Sequence, residues 1–238
     1  MSGSASDCDP ALARHARLNV SVVIPTLDAA AVIDATLASL PLVSEIIVAD
    51  GGSEDGTADT AIQRGVRVIV SAPGRGTQMS AGARSATCDW LLFLHADTCL
   101  SANAVTAISC FTSREENQAR AAVFQFHLDV DCWQARLLQR VVDWRSRILA
   151  LPYGDQGLLI HRDLYRQVGG YSNWPLMEDV DLVRRIGRRR LVQLPAFAIT
   201  SAAKWKTQGW LRRSSRNTLC IILYYLGLSP RLIAKIYG

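Results

Sequence analysis

The sequence predicts an α/β domain built on a mostly parallel central sheet with helices on both faces. Three observations carry that expectation. Short apolar runs alternate with segments of helical spacing from residue 20 to residue 111. The runs are apolar throughout, as strands are when helical crossovers bury both sheet faces. Three of them end in polar residues, at Pro25-Thr26, at Asp50 and at His95-Ala96-Asp97. Ligands in open parallel sheets bind at such strand ends, so these loops are expected to converge on one cleft.

Taken in order, residues 1–18 are small and polar and are expected to form a loose tail. Residues 20–24 read as a buried strand stopped by Pro25. In 30–40, Val32, Ile33, Thr36, Leu37 and Leu40 have helical spacing, closed by Pro41. A second strand over 45–49 runs into the loop 50–57, followed by a short helix to about residue 64. A strand over 66–70, a small-residue helix over 77–86, a strand over 90–94 and a helix over 102–111 complete the first half, 19–115. The alternation then loosens. The second half, 116–206, is expected to hold a strand over 121–130 and a helix over 132–151 with Trp133, Leu137, Leu138, Val141 and Trp144 on one side. A turn at Tyr153-Gly154-Asp155, a strand over 156–161, a helix over 177–189 and one or two strands within 191–203 follow. Residues 207–238 read mostly as helix, and 19–238 as a single domain.

Composition bounds the function. With 49% hydrophobic and 20% charged residues in 238, disorder is excluded as the main state, and a core of this size folds without staples. The net charge of +5 conceals a split: all 21 acidic residues precede residue 183, and 12 of the 26 basic residues follow it. Cys8, Cys88, Cys99, Cys110, Cys132 and Cys220 form no C-x-x-C pair. That pattern suggests neither a zinc knuckle nor a disulfide framework but small buried residues of a reduced, cytoplasmic chain. The longest apolar run, Leu219 to Leu228, falls short of the roughly 20 residues of a spanning helix. Basic residues and Trp205 and Trp210 precede it, which leaves two readings open: a peripheral helix on the inner face of an anionic membrane, or a helix packed on the core or on a second copy in a homodimer.

Four loops carry chemistry. In Asp50-Gly51-Gly52-Ser53-Glu54-Asp55-Gly56-Thr57, glycines permit close approach of a ligand and a helix N-terminus offers donors to anionic groups; a plain turn with capping acids is the alternative. It is not a dinucleotide fingerprint, and Gly74-Arg75-Gly76 is neither that nor a P-loop. One rigid carboxylate at Asp97, facing a diphosphate, suits Mg²⁺ or Mn²⁺, while His95 alone reads as structural. Glu178, Asp179 and Asp181 crowd three acids into four positions. Like charges that close raise the pKa of one of them, which suits a general base; complementing a helix dipole is the plainer reading.

These pieces occur in an order that resembles the family-two glycosyltransferases of the GT-A fold, over roughly residues 19–238. The resemblance rests on Val22-Val-Ile-Pro-Thr26, on Ile46 through Thr57, on Leu94-His-Ala-Asp97 and on Glu178-Asp179. More narrowly, Gly74 through Ala83, Tyr153-Gly-Asp-Gln-Gly157 and Leu226-Gly-Leu-Ser-Pro-Arg231 resemble a compact bacterial subfamily associated with radical-SAM proteins or arsenosugar biosynthesis.

The resemblance implies inverting transfer of a sugar from a nucleotide diphosphate sugar, a UDP-sugar first, to a small-molecule or lipid-linked acceptor. It implies that 19–115 binds the nucleotide, with Pro25, Thr26, Asp50, Gly51, Arg75, Gln78, His95 and Ala96 at the donor and Asp97 at the metal. Asp155 and Gln156 would lie on the acceptor side. Asp179 matches the catalytic base, and Glu178 is the second choice. Ala29 and His95 replace acidic residues common in relatives, so one metal carboxylate remains. A sugar nucleotidyltransferase would need an Arg- or Lys-bearing glycine loop after the first strand, where 25–31 has none. A nucleic-acid-binding protein would leave Asp50, Asp97 and Asp179 unexplained, and no nucleic-acid partner is expected.

Overall fold

A computed structural model describes residues 17–149 and 152–237. The expected tail lies outside the described residues apart from Arg17 and Leu18, and Leu18 already opens the first strand.

Eight strands form one sheet. They are β1 (Leu18–Thr26), β2 (Val43–Asp50), β3 (Arg67–Val70), β4 (Trp90–Phe93), β5 (Thr98–Leu100), β6 (Ala121–Leu128), β7 (Leu158–His161) and β8 (Leu191–Thr200). Their order is β3-β2-β1-β4-β7-β6-β8-β5. β1 pairs in parallel with β2 and β4, and β2 with β3. Beyond β4 the sheet turns mixed: β7 runs antiparallel to both β4 and β6, while β6 and β8 are parallel. Chain progression reverses across β1, from β2 and β3 on one side to β4 on the other, and that reversal opens a crevice at the carboxyl ends of β1 and β4.

The helices α1 (Ala30–Ser39), α2 (Thr57–Gln63) and α4 (Ala104–Thr112) cover one face of the sheet. Ile33, Leu37, Ala61, Ile108 and Phe111 pack there on Val22, Ile24, Leu92 and Leu94. On the other face lie α3 (Arg75–Ser85), α6 (Arg162–Gln167) and α7 (Glu178–Ile186). Met79, Ala83, Leu164, Leu182 and Ile186 meet Val23, Ile47, Leu91 and Phe93. Burial on both faces is why these strands are apolar throughout. α3 lies close because it is built of small residues: a methyl added at Gly82 would drive into Val23 Cγ1.

The second half departs from expectation in places. Residues 154–156 form a 3₁₀ turn before β7, and α7 stops at Ile186, where Gly187 takes a φ of 84°. α6 and α8 (Ala203–Gln208) are additional short elements, as is β5 in the first half. α5 (Trp133–Leu149) is helical as expected. The side expected to carry its apolar stripe faces outward, however, with Trp133, Leu137, Val141 and Trp144 each more than half exposed. Ala135, Leu138 and Val142 make the inward contact, on Phe126, Leu128 and Trp205.

At the carboxyl end, α9 (Trp210–Tyr225) and α10 (Pro230–Tyr237) pack on α7. Cys220 and Ile233 are fully buried against Leu176, Met177 and Val180. The packed reading of this region therefore holds for its inner face, while Leu219 and Ile222 on α9, and Leu226 just beyond it, remain exposed. No helix among the described residues is long and apolar enough to cross a membrane.

Candidate active site

The crevice at β1 and β4 holds two adjoining cavities. The larger, about 520 Å³, is lined by Pro25, Thr26, Asp28 and Gln78 on one side and by His95, Ala96, Asp97 and Lys204 on the other. The smaller, about 150 Å³, is lined by Tyr153, Asp155, Asp179, Trp205, Arg213 and Asn217 among others. Arg75, His95, Asp97 and Lys204 border both. The strand-end residues thus converge as expected, except that Asp50 stands behind the cleft wall.

Asp50 is only 3% exposed. Its Oδ1 accepts from Thr26 Oγ1 at 2.8 Å and Ser53 Oγ at 2.6 Å, and its Oδ2 from the Gly52 and Ser53 amides at 2.9 and 2.8 Å. Burial opposes its charge, but the Ser53 and Thr26 groups and the Gly52 amide more than offset that and hold its carboxyl below the usual range. Four donors already occupy it. Gly51 donates its amide to Thr26 O at 2.9 Å, joining the ends of β1 and β2. Gln78 spends its amide likewise: Nε2 donates to Thr26 O at 2.6 Å and to Ala49 O at 2.8 Å. Gln78 therefore holds the strand ends together beneath the cleft.

The acidic loop also performs capping across space. Asp55 Oδ2 accepts from the Ala30 amide at 2.9 Å, and Thr57 Oγ1 accepts from the Ala29 amide at 2.8 Å. These bonds satisfy the start of α1, whose own N-cap residue, Ala29, supplies no side-chain acceptor. Asp28, held at φ 50°, receives the Glu54 amide on its Oδ1 at 3.1 Å.

At the end of β4, Asp97 Oδ2 lies 3.2 Å from Lys204 Nζ. Burial works against its ionisation, but the charge and hydrogen bond of Lys204, with His95, together more than offset it and the carboxyl is held low. His95 is pushed down to about 4 by burial and by the Arg75 charge, so its imidazole is neutral near pH 7. His95 Nε2 is buried without a hydrogen-bond partner among the described residues.

The three acids at the start of α7 are separated by the helix. The chain reverses at Met177, in the left-handed region with φ 67°. Glu178 then points into the protein, fully buried, with Oε1 3.0 Å from Arg75 Nε. Burial, partly offset by Arg75 and reinforced by Asp179, pushes Glu178 up to about 7. Asp179 enters the smaller cavity, where its Oδ2 accepts from the Gly154 amide at 2.7 Å and its Oδ1 from the Val180 amide at 2.7 Å. Asp181 turns away, pairing with Arg185 at 2.6 Å and Ser172 at 2.9 Å. The raised carboxyl expected of this cluster is thus Glu178, while the one open to a ligand is Asp179.

Asp155 also borders the small cavity. Burial, opposed by Arg145 and reinforced by Asp179 and Asp97, pushes it up to about 6. Gln156 does not reach the cavity: it is fully buried, accepts from Ser146 Oγ at 2.8 Å and donates to Phe124 O at 3.0 Å. Sequence reasoning missed Tyr153, Lys204, Trp205, Arg213 and Asn217 as cavity walls. The charge split was the available signal for Lys204 and Arg213, which lie in the basic stretch. In the structure only part of that stretch faces the cavities: Arg185 is tied to Asp181, and Arg184 lies over the Tyr224 and Tyr225 rings.

The strand order, with its reversal point at β1 and helices on both faces, gives the GT-A-type fold. The mannosyltransferase of Pyrobaculum calidifontis, solved with GDP-Man and Mn²⁺, has a TM-score of 0.64 at 16% identity, covering 99% of this chain and 71% of that one. Glucosyl-3-phosphoglycerate synthase of Mycobacterium tuberculosis, solved with Mn²⁺ and UDP-glucose, has a TM-score of 0.58 at 19% identity, covering 96% and 86%. Residues 21–143 match the model of glycosyl transferase family 2, and the chain belongs to that family. An uncharacterized glycosyltransferase of Mycobacterium tuberculosis is 30% identical over 132 residues, 54% of this chain and 59% of the relative. A PGL/p-HBAD biosynthesis glycosyltransferase of the same species is 36% identical over 108 residues, 40% and 42%. The chain thus spans less than two thirds of the length of these relatives.

Proposed function

We propose that the protein is an inverting glycosyltransferase that moves a sugar from a nucleotide diphosphate sugar, a UDP-sugar first, to an acceptor hydroxyl, with Asp179 as general base. The observation that carries this reading is the adjoining pair of cavities. The larger has room for the nucleotide, and the smaller presents Asp179 across the wall formed by Arg75, His95, Asp97 and Lys204. A sugar held at that shared wall would have its leaving diphosphate on one side and the acceptor hydroxyl on the other.

The chemistry follows from those positions. Asp179 takes the hydroxyl proton as the acceptor oxygen attacks the anomeric carbon, and the bond to the diphosphate breaks on the opposite face. Arg75 and Lys204 meet the negative charge that grows there, a low-dielectric arrangement that stabilises the transition state more than the ground state. The Gly154 amide holds the carboxylate of Asp179 in its working orientation. Glu178, buried on Arg75, serves to fix that guanidinium. Asp50 supports the nucleotide pocket through Thr26.

Among the described residues no group of three His, Cys, Asp or Glu could hold a metal by itself. Asp97 fits the mode in which Mg²⁺ or Mn²⁺ uses one protein carboxylate together with substrate phosphates. The cation, when bound, would neutralise charge on the leaving diphosphate; it would share the Asp97 carboxylate with Lys204 or displace that ammonium.

Calorimetry with UDP-sugars tests the reading. Wild type is expected to bind in the presence of Mn²⁺, and Asp97→Ala to lose the Mn²⁺-dependent part of the affinity. Absence of any nucleotide-sugar binding would sink the proposal.

The narrower subfamily reading is supported by where its segments lie. Arg75 from the first and Tyr153 through Asp155 from the second border the small cavity. A second reading, attachment to an anionic membrane surface, is favoured by the exposed apolar stripe on α5 beside Arg136 and Arg140.

A further inference from the structure

The small cavity is lined by polar groups that the protein itself leaves unpartnered. Trp205 is 6% exposed, yet its Nε1 has no hydrogen-bond partner among the described residues. The same holds for Arg213 Nε, Tyr153 Oη and Asn217 Oδ1. All four residues line the cavity, and they come from three places: α8, α9 and the turn before β7. The large majority of buried side-chain polar atoms are bonded, so four orphans around one space of about 150 Å³ mark a ligand position.

The chemistry of the wall indicates what the ligand is. Trp205 Nε1 and Arg213 Nε can only donate. Arg213 is held in place, its Cζ 4.6 Å over the Trp205 ring and its Nη1 donating to Gln208 Oε1 at 2.9 Å. Lys204 adds a second cation at the border. The same cavity is also lined by acceptors, Asp179 and Asp155. A neutral polyol would leave the donor-only side with weak partners. An anion would meet charge-assisted bonds from it, while a hydroxyl on the same molecule faced Asp179.

We propose that the small cavity is the acceptor site and that it selects a small hydroxy acid, a carboxylate or phosphate monoester, held by Arg213 and Trp205 with its hydroxyl toward Asp179. This rests on the transferase reading for the role of Asp179, whereas the anion site stands on the unpartnered donors alone. The cavity is closed on one side by Cys220, Ile221 and Tyr237 of α9 and α10, which suits a free molecule better than a headgroup still in a bilayer.

The test is calorimetry with D-glycerate, sn-glycerol 3-phosphate and glycerol as probes, with and without UDP and Mn²⁺. Both acids are expected to bind and glycerol to give no measurable heat. Arg213→Gln should weaken the acids at least tenfold, Arg213→Lys should restore part of that loss, and UDP affinity should be the same in all three proteins. Glycerol binding as well as the acids, binding by neither acid, or full acid affinity in Arg213→Gln would each overturn the proposal. Acid binding in a protein that does not bind UDP would sink the transferase reading and leave the anion site standing. Phosphatidylglycerol vesicles that bind through Arg213 where the soluble acids fail would replace the free acid with a lipid headgroup and overturn it as stated.

Discussion

Asp179 and Glu178 are adjacent in sequence and opposite in environment, and each makes its own prediction. Asp179 faces the cavity, so Asp179→Asn keeps its shape and removes the proton acceptor. General base catalysis is typically worth roughly 10²–10⁴-fold; single-turnover kinetics should show kcat reduced at least a hundredfold with donor affinity retained. Near-normal turnover would remove Asp179 from the role. Glu178 has an ordinary value of 4.5 and is pushed up to about 7 by burial. Between those values the folded protein binds a proton that the unfolded chain releases, so stability falls as pH rises across the window and levels off above it. Asp155, pushed up to about 6, adds in the same direction. Denaturant unfolding measured from pH 4.5 to pH 7.5 should show that decline, and Glu178→Gln should flatten it. An unchanged slope would mean that Glu178 is ionised in the fold across the whole window.

At the scale of elements, the register between helix and sheet sets the site. Gln78 reaches the ends of β1 and β2 because α3 sits close on β1, and Gly82 permits that approach. Gly82→Ala forces a methyl against the Val23 side chain, an overpacking that typically costs about 1–3 kcal/mol. The urea midpoint should fall with the slope unchanged, and nucleotide binding should weaken as the strand ends shift. Most of the first half was legible for a simple reason: β1 and β4 are buried on both faces and the helices stop at Pro41 or at small polar turns, so pattern and structure coincide there. β5 and α6 were not, because elements of three and six residues carry too little periodicity. Asp50, Gln78 and Gln156 were legible as positions in a motif but not as what they do. Each of them makes at least one hydrogen bond to a residue 24 to 52 places away, and no local pattern records those partners.

The molecule as a whole presents one feature that the site does not use. Trp133, Leu137, Val141, Trp144 and Ile148 recur along one side of α5, each at least half exposed. Leu211, in the first turn of α9, is more exposed still, at 87%. α5 and the start of α9 both meet Trp205, through Val142 and Leu138 on one side and Trp210 on the other, so the two apolar surfaces belong to neighbouring elements. Contiguous exposed apolar surface marks an interaction site rather than a solvated face. The cations Arg136, Arg140 and Arg212 interleave with it, a combination that suits an anionic bilayer, in which Trp and Leu enter the interface while Arg meets headgroups. Co-sedimentation with vesicles containing phosphatidylglycerol should therefore capture the protein at low salt, weaken as salt screens the attraction, and fail with neutral phosphatidylcholine. Replacing Trp133 and Trp144 together by Ser should release it without changing UDP affinity, since neither residue borders the two cavities. A wild-type protein that ignores both vesicle types and elutes as a dimer, with the double variant monomeric, would assign the stripe to a second copy instead.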